Sequence, residues 1–490
     1  KKGEYGAKEC CTNEGAVNYA ALYHSRYGIL RKAFARFSTW YPDDYYRFCY
    51  EQGWWLEDYA LYMTAKGLYE GKSYLEWPEP VRSHTPEAIR QLYAEHEAEV
   101  HFWKFCQYEF SLQWTALKAY AGENGIEIMG DIPIYVAADS ADVWAAPELF
   151  LLDACGAPKE VAGCPPDAFS DAGQLWGNPL YNWDVHLKTG CAWWIRRLRH
   201  ASAVYDVVRI DHFRGFESYY AIPARDKTAV NGVWRKGPGT AFIDVIRRKL
   251  PDVRIIAEDL GYLTDDVKAL LRASGFPGMK VLQFAFDSLG ESDYLPHRFT
   301  TTDCICYTGT HDNDTSLGWY QNLSCECRKK VRLYTRSTDD LKPGWELIRT
   351  ALSSIAGYAI FPLQDVLGYG SDARMNTPGT ASGNWNWRFA DGVLRSELAE
   401  KLKELTVLYG RHTIDEPEED AAPASTEDSV EEVTLSTEDA NAEDLAEENE
   451  LSTEDANAES LTETEKLSTE DAPDEKDTDA AVKQTGGIGR

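Results

Sequence analysis

The sequence predicts an α/β fold built on a parallel (β/α)8 barrel of the TIM type, with helical insertions. Six mostly apolar segments have the composition of buried strands, and each carries or runs into a carboxylate. Helical patterns separate several of them, and strand–helix–strand repeats favour parallel βα units with right-handed crossovers. Acidic side chains at the carboxyl ends of several strands are typical of the active face of such a barrel. No glycine-rich GxGxxG or GxxxxGKS/T turn occurs in the sequence, which disfavours a doubly wound nucleotide-binding sheet.

The six candidate strands share an apolar, β-branched composition that indicates strands covered on both faces. They comprise residues 126–136 and the segments that end at Asp211, Asp259, Asp287, Asp312 and Asp365. Two of the intervening helices have clear boundaries in the sequence. Residues 242–250 stop before Pro251, and residues 264–273 begin at the capping residue Thr264 and stop at Gly275.

A long helix is predicted upstream of the first strand, over residues 85–122. Thr85 can cap this helix, Pro86 suits its first turn, and Gly122 and Gly125 close it. The chain before it is rich in Trp and Tyr at helical spacing and offers no parallel strand. A closed barrel of this type needs eight strands, and the sequence begins without an initiator Met. We therefore expect the first two βα units of the barrel to lie outside the given sequence.

The carboxyl-terminal segment differs in composition from the rest of the chain. Of 80 acidic and 50 basic residues, 27 acidic and 4 basic ones lie between Asp415 and Arg490. The motif LSTEDA occurs three times there, and the segment contains no aromatic residue. Such a segment cannot bury enough apolar surface to offset its ordering entropy. We predict a catalytic region over residues 1–412 and a disordered acidic tail over residues 413–490, which serves solubility or docking to an unknown basic partner.

Charge and composition disfavour several classes of protein. A net charge of −30 repels phosphate backbones and anionic membranes, so nucleic acid is a poor partner. No run of eighteen apolar residues and no secretory segment occurs in the sequence, so we expect neither a membrane span nor an export signal. The 11 cysteines follow no disulfide framework, although Cys304 with Cys306 and Cys325 with Cys327 form CxC pairs. We expect reduced thiols in a cytoplasmic protein and no zinc site at these pairs.

Three carboxylates can support chemistry on a neutral, hydroxyl-rich substrate: Asp211, Glu258 and Asp312. Such chemistry needs one group that attacks carbon and another that protonates the leaving oxygen. Arg209 lies two residues before Asp211, so both side chains share one face of a strand and the guanidinium can keep Asp211 ionised as a nucleophile. Glu258 follows an apolar run, where burial raises its pKa and suits it to acid/base catalysis. Each acid taken alone is more often a helix cap or an arginine partner, and only their joint occurrence favours catalysis.

Histidines and aromatic residues supply the rest of the candidate site. His212 and His311 adjoin two of the acids; they could belong to a metal site, but neighbouring residues on a strand diverge, and hydrogen bonding to sugar hydroxyls is the better use. Pro, Gly, Asp and Asn dominate residues 163–183, which predicts an ordered loop that acts as a lid. We expect Trp176 and Tyr181 of this loop near a binding face, because flat rings suit the apolar faces of pyranoses.

Seven segments in a fixed order span most of residues 54–411 and carry the motifs of one enzyme family. They are GDIPIYVAADSADVW from Gly130, PPDAFSDAGQLWGNPLYNW from Pro165, VRIDHFRGF from Val208, IIAEDLGYLT from Ile255, GMKVLQFAFD from Gly278, YTGTHDNDT from Tyr307 and ARMNTPGTASGNWNWR from Ala373. Together they resemble the 4-alpha-glucanotransferases, the amylomaltase or disproportionating-enzyme family of the alpha-amylase clan.

This resemblance implies a role for each candidate residue. Asp211 is expected to be the nucleophile, Glu258 the general acid/base, and Asp312 the acid that binds vicinal sugar hydroxyls and stabilises the distorted transition state. The candidate substrate-binding residues are Asp131, Arg209, Gln174, Trp176, Tyr181 and His311. The resemblance implies no metal and no cofactor. The expected partners are an α-1,4-glucan donor and a glucan or glucose acceptor.

We therefore predict the transfer of an α-1,4-glucan segment to the 4-hydroxyl of an acceptor by retaining double displacement. Two alternatives remain open: an α-glucan hydrolase of the same clan, with water as acceptor, and a non-catalytic glucan-binding remnant. Longer oligosaccharides formed from maltotriose indicate transfer, whereas reducing ends that increase with every event indicate hydrolysis. The presence of all three acids argues against a remnant.

Overall fold

Six short parallel strands lie at the centre of the computed structural model, which describes residues 16–166, 170–261, 263–337 and 342–412. The ten strands of these residues, in chain order, are β1 (Met129–Ile132), β2 (Glu160–Cys164), β3 (Gln174–Pro179), β4 (Val207–Ile210), β5 (Ser218–Pro223), β6 (Val233–Lys236), β7 (Ile255–Ala257), β8 (Gly278–Val281), β9 (Cys304–Tyr307) and β10 (Tyr358–Ile360). Strands β1, β4 and β7 pair in parallel in that order, and so do β8, β9 and β10. The amide of Ala257 in β7 donates to the carbonyl of Pro277 beside β8 at 2.9 Å, so the two three-stranded sheets adjoin. All six predicted strands are therefore present, each shorter than the apolar segment that predicted it.

Helices connect most of these strands and cover the molecule upstream of them. In chain order, the α-helices of the described residues are α1 (Tyr19–Phe37), α2 (Asp43–Leu68), α3 (Glu79–Arg82), α4 (Pro86–Glu123), α5 (Ala141–Ala145), α6 (Trp183–Lys188), α7 (Ala192–Val204), α8 (Gly239–Lys249), α9 (Asp265–Ser274), α10 (Ser316–Asn322), α11 (Cys325–Thr335), α12 (Pro343–Leu352), α13 (Leu363–Leu367) and α14 (Ser396–Leu408). In the chain, α7 lies between β1 and β4, α8 between β4 and β7, and α9 between β7 and β8. This is the alternation of parallel strands and helices that the sequence predicts. The region before α4 is helical in α1 to α3, as its spacing of apolar residues indicates.

The ends of the helices show where local sequence rules apply and where they fail. Thr264 caps α9, because its hydroxyl oxygen accepts from the amide of Val267 at 3.3 Å, and Gly275 closes α9 with a φ of +69°. Thr85 precedes α4 as predicted but does not cap it with its side chain. Its hydroxyl instead donates to the carbonyl of Pro80 at 3.1 Å. The predicted capping role of Thr85 is therefore wrong, although the helix begins at the predicted place.

The prediction that residues 163–183 form a loop is wrong for residues 163–164 and 174–179, which belong to β2 and β3, and for Trp183, where α6 begins. Strands β2 and β3 pair antiparallel and join β5 and β6 in a four-stranded sheet of order β3–β2–β5–β6. A Cβ atom on Gly163 would lie 2.1 Å from the carbonyl oxygen of Gln174, so the close approach of the two strands requires glycine there. At Gly163, therefore, the glycine that favoured a loop is required by close strand pairing. Residues 167–169 lie outside the described part of the chain.

The predictions on the tail, the cysteines, metal binding and a membrane span can be compared only with the described residues. The predicted tail, residues 413–490, lies outside the described residues. Eight of the nine cysteines within the described ranges, all except Cys164, are free thiols, and no group of three or more His, Cys, Asp or Glu side chains in those ranges is placed to hold a metal ion. No helix in the part of the chain that was described has both the length and the apolar character needed to span a membrane.

Candidate active site

The carboxyl ends of β1 and β4 bring three of the candidate residues together. Asp131 in β1 and Arg209 in β4 are paired in the strand register, and a guanidinium N–H of Arg209 donates to Oδ2 of Asp131 at 2.5 Å. The same guanidinium nitrogen lies 3.0 Å from Oδ1 of Asp211, the residue that follows β4. The amide of Asp211 donates to the carbonyl of Ile132 at 3.0 Å, which extends the ladder to this residue. The predicted placement of Arg209 and Asp211 on one face is therefore correct.

Glu258 follows β7 and lies at the same edge of the sheet. Its amide donates to the carbonyl of Ile210 at 3.0 Å, one residue before Asp211. Its carboxylate is oriented by the backbone, because Oε2 accepts from the amide of His212 at 2.8 Å and Oε1 from the amide of Leu260 at 2.7 Å. His212 has a φ of +53°, the left-handed conformation that directs its N–H towards Glu258. Two acids from different strands thus share one end of the sheet.

Asp312 follows β9 and is held by the segment after β10. The side-chain amide of Asn376 donates to Oδ1 of Asp312 at 2.6 Å, and the guanidinium of Arg374 donates to the backbone carbonyl of Asp312 at 2.6 Å. Nε2 of His311 lies 3.5 Å from Oδ2 of Asp312. Sequence reasoning missed the roles of Asn376 and Arg374, although both lie in the segment ARMNTPGTASGNWNWR that carries the family resemblance.

The two central acids have different electrostatic environments. Burial raises the pKa of Glu258 to about 7, and the neighbouring charge of Asp211 contributes to the increase. Desolvation also raises the pKa of Asp211 above its ordinary value, and the Arg209 guanidinium opposes this without reversing it. Arg209 therefore favours the ionised form of Asp211, as the sequence predicts, but desolvation has the larger effect on the pKa. The ion pair with Arg209 nevertheless gives Asp211 a direct positive partner, whereas the hydrogen bonds to the carboxylate of Glu258 come from neutral backbone amides.

A cavity of about 380 Å³ lies between the ends of β1 and β10. It is lined on its polar side by Asp131, Arg209, His311 and Arg374, and Trp385 forms part of its wall. The three predicted catalytic acids do not line this cavity. Asp211 and Asp312 lie beside it, because Arg209 connects it to Asp211 and Arg374 connects it to Asp312.

Strand β3 presents Gln174 and Trp176 to the same region. The indole N–H of Trp176 donates to Oε1 of Gln174 at 3.0 Å, and 37% of Trp176 is exposed. The Trp176 ring stands perpendicular to the His212 imidazole, with 4.8 Å between the ring centroids. Burial lowers the pKa of His212 to about 3, so this imidazole is neutral and can exchange hydrogen bonds with hydroxyl groups. Both predicted residues of β3 therefore reach the edge that holds Asp211.

Tyr181 does not lie at a binding face, and that prediction is corrected. The residue is 1% exposed within the main hydrophobic core. Its hydroxyl donates to the carbonyl of Ile134 at 2.7 Å, and its ring stacks on Tyr135 at a centroid distance of 5.7 Å. An aromatic-rich segment that borders a site contains core residues as well as surface ones, and composition alone does not separate the two.

The other acids that end the predicted strand segments have structural roles. Oδ1 of Asp259 accepts from the amide of Met279 at 2.6 Å, which joins β7 to β8. Asp287 accepts from the indole of Trp319 at 2.8 Å. Asp365 is 2% exposed and accepts from the hydroxyl of Thr308 at 2.7 Å. These three acids accept hydrogen bonds from a backbone amide, an indole and a hydroxyl, and so stabilise the fold.

Two acids in unlike environments and a third acid nearby, all at the carboxyl ends of parallel strands, define the class of enzymes that process glycosidic bonds with carboxylates. A family model described as 4-alpha-glucanotransferase matches residues 2–394, and the chain belongs to this family. The chain is 43% identical over 412 residues to a 4-alpha-glucanotransferase of Clostridium butyricum, covering 84% of each chain. It is 45% identical over 400 residues to that of Thermus thermophilus, covering 80% of each.

A solved structure gives the same result for the fold. The chain superposes on an amylomaltase from Streptococcus agalactiae in complex with acarbose, with a TM-score of 0.81 and 38% identity over 84% of each chain. An amylomaltase from Corynebacterium glutamicum shares the fold, with a TM-score of 0.60 at 17% identity. The predicted family, the amylomaltase-like α/β fold and the activity of a glycosyltransferase on α-1,4-glucans are therefore confirmed.

Proposed function

We propose that the enzyme transfers α-1,4-glucan segments by retaining double displacement, with Asp211 as nucleophile and Glu258 as general acid/base. The observation that carries this assignment is the difference between the two acids. Asp211 has a guanidinium partner that favours its ionised form, whereas the pKa of Glu258 is raised to about 7, which leaves a large protonated fraction near neutrality. Titratable groups whose environments separate their roles in this way are suited to nucleophilic attack and proton donation.

In the first step, an oxygen of Asp211 bonds to the anomeric carbon of the donor while the bond to the departing 4-oxygen breaks. Glu258 gives its proton to that oxygen, so the shortened glucan leaves as a neutral alcohol. In the second step, Glu258 takes the proton from the 4-hydroxyl of the acceptor, whose oxygen displaces Asp211 from the anomeric carbon. Two inversions give net retention, a chemistry that requires the two carboxyls to lie about 5 to 5.5 Å apart.

The remaining candidate residues bind and orient the sugars in this proposal. Asp312, fixed by Asn376 and adjacent to His311, accepts hydrogen bonds from vicinal hydroxyls of the reacting glucose. The residues that line the donor and acceptor subsites are Asp131, Arg209, His311, Gln174 and Trp176. A half-exposed indole held against His212 supports a stacking role for Trp176. The chemistry proposed here needs no metal and no cofactor.

Transfer competes with hydrolysis, because water can also displace Asp211. An acceptor held in attack geometry gains a large advantage in effective concentration over free water. The β2–β3 hairpin, which carries Trp176 to the edge of the site, supports a role in holding this acceptor and limiting the access of water. The donors and acceptors in this proposal are α-1,4-glucans, and glucose serves as the smallest acceptor.

Three wider features belong to the same proposal. The parallel order β1–β4–β7 beside β8–β9–β10 supports an eight-stranded barrel to which these six strands contribute. Eight free cysteines in the described residues support a cytoplasmic location. The acidic tail serves solubility or a basic partner, as its composition indicates.

Incubation with maltotriose tests the reaction. We expect glucose and a ladder of longer oligosaccharides, with a constant number of reducing ends. An increase in reducing ends with each event would instead identify a hydrolase. Trapping a covalent glucosyl ester on any residue other than Asp211 would overturn the assignment of the nucleophile.

A further inference from the structure

The half-exposed indole of Trp385 forms part of the wall of the cavity beside the proposed active site. Trp385 lines the same cavity as Asp131, Arg209 and His311, and 49% of the residue is exposed. Its ring centroid lies 5.0 Å from that of His311, with 40° between the ring planes. The indole is thus placed next to the residue that adjoins Asp312.

The backbone of Trp385 is held in an unfavourable conformation. Its φ is +60°, a left-handed value that bulky residues seldom adopt, because Cβ then crowds the following carbonyl oxygen. Two hydrogen bonds fix this conformation: the amide of Trp385 donates to the carbonyl of Met375 at 2.7 Å, and the hydroxyl of Tyr19 donates to the carbonyl of Trp385. Strain of this kind persists where the surroundings enforce it, and it is concentrated at functional sites.

The segment before α1 reinforces the same wall. The amide of Val17 donates to the carbonyl of Asn386 at 2.6 Å, and Ala16 forms an antiparallel bridge with Trp387. Residues 16–19 therefore lie against residues 385–387, which are more than 360 positions later in the chain. This contact fixes the backbone from which the indole projects.

We propose that Trp385 is a stacking platform for a glucosyl unit adjacent to the one held by Asp312, and that Tyr19 positions it. The apolar face of a pyranose packs on an indole, while its hydroxyls reach polar groups at the ring edge. His311 and Arg374 provide such groups in the same cavity. This inference rests on the proposed function, since it requires an α-1,4-glucan in the site.

A platform of this kind acts on binding. It contacts a sugar that does not react, so it stabilises the bound substrate and the transition state by similar amounts. Uniform binding raises the affinity for substrate and leaves kcat unchanged. Its contribution is therefore visible as a change in KM, and the dependence of the rate on pH remains that of the unaltered enzyme.

The test is a kinetic comparison of full-length variants on maltotriose and maltoheptaose. We expect W385A to raise KM about 5- to 30-fold with kcat within about 2-fold of the unaltered enzyme. W385F, which retains an aromatic face, should raise KM less than W385L, which retains only apolar bulk. Y19F should give a smaller increase, since it removes only the hydroxyl that fixes the carbonyl of Trp385. The matched control is W40A, because Trp40 is 76% exposed and lies outside the cavity wall.

The outcomes separate the two parts of the inference from the proposed function. An unchanged KM for W385A, or equal values for W385F and W385L, would overturn the platform, and an unchanged KM for Y19F would overturn the positioning role. Binding of maltoheptaose to D211N, measured with and without W385A, tests the platform without turnover. Failure of the unaltered enzyme to lengthen maltotriose would instead refute the proposed transferase mechanism, whatever the binding result.

Discussion

Asp211 and Asp365 each end an apolar segment that predicted a strand, yet their surroundings give them different roles. Asp211 directly follows β4 and Asp365 lies in α13 after β10, and desolvation raises the pKa of each. Asp365 is 2% exposed and accepts from Thr308 Oγ1, Ser316 N and Ser316 Oγ, all at 2.7 Å. The side chain of Asp211 is 42% exposed and is bonded to Arg209 at one oxygen. A carboxylate with an oxygen that accepts no hydrogen bond from the protein can bind a substrate. A carboxylate whose oxygens all accept from protein donors cannot.

The largest expected effect comes from removing the proposed nucleophile. D211N should lower kcat about 10⁴- to 10⁶-fold while the protein remains folded, because an amide oxygen cannot form the glucosyl ester. Disproportionation of maltotriose measures the change. The matched control is D365N, in which the hydroxyls of Thr308 and Ser316 can rotate to accept from the new amide; its kcat should stay within about 3-fold of the unaltered enzyme. Similar losses in both variants would remove the distinction between the two acids.

The next effect concerns Glu258 and its dependence on pH. E258Q should lower kcat/KM about 10²- to 10⁴-fold, as expected for the loss of a general acid. In the unaltered enzyme, kcat/KM should fall as pH rises through about 7, because Glu258 then loses the proton that it must donate. A donor with a highly activated leaving group should restore the first step in E258Q and abolish this decline. A decline that persists in E258Q would assign it to another residue.

A smaller effect, on stability instead of catalysis, is expected when Asp365 is replaced. D365A leaves the hydroxyls of Thr308 and Ser316 and the amide of Ser316 without their acceptor, and it should lower the free energy of unfolding by about 3 kcal/mol. Urea denaturation measures this change. The kcat of the folded fraction should remain close to that of the unaltered enzyme. A specific loss of kcat at full stability would show that Asp365 belongs to the site.

The smallest effect tests the corrected position of Tyr181. Y181F removes the hydrogen bond to the carbonyl of Ile134 and a longer one, at 3.4 Å, that the hydroxyl accepts from Arg197, and it should cost about 1 kcal/mol of unfolding free energy. Because Arg197 also donates to this carbonyl, at 3.3 Å, the oxygen keeps a partner. The KM for maltotriose should be unchanged. An increase in KM comparable to that of a Trp176 variant would return Tyr181 to the binding surface.

The sequence predicts correctly those features that depend on neighbouring residues, namely the strands, the shared face of Arg209 and Asp211, and the raised pKa of Glu258. The apolar segments predicted the six strands, and the two-residue spacing of Arg209 and Asp211 predicted their shared face. The apolar run before Glu258 predicted a raised pKa. These inferences depend on local properties, namely strand alternation and the dielectric environment of a buried strand.

Other features depend on contacts that sequence spacing does not contain. Asn376 orients Asp312 across 64 positions, and Tyr181 is buried because distant elements pack around it. The pKa of Asp211 is raised by desolvation and lowered by Arg209. Which of the two effects is larger depends on how the folded chain buries Asp211, and the sequence does not show this. The β2–β3 hairpin was missed because glycine and proline indicate turns more often than close strand pairing.

The register of β1 and β4 has a consequence for how the enzyme acquires its activity. Asp131 and Arg209 face each other only in one alignment of the two strands, and a slip by one residue would turn the guanidinium to the opposite side of the sheet. These residues are 78 positions apart, so their ion pair forms only after the chain has closed a long loop. The recovery of enzymatic activity during refolding therefore reports when β1 and β4 have paired in the correct register.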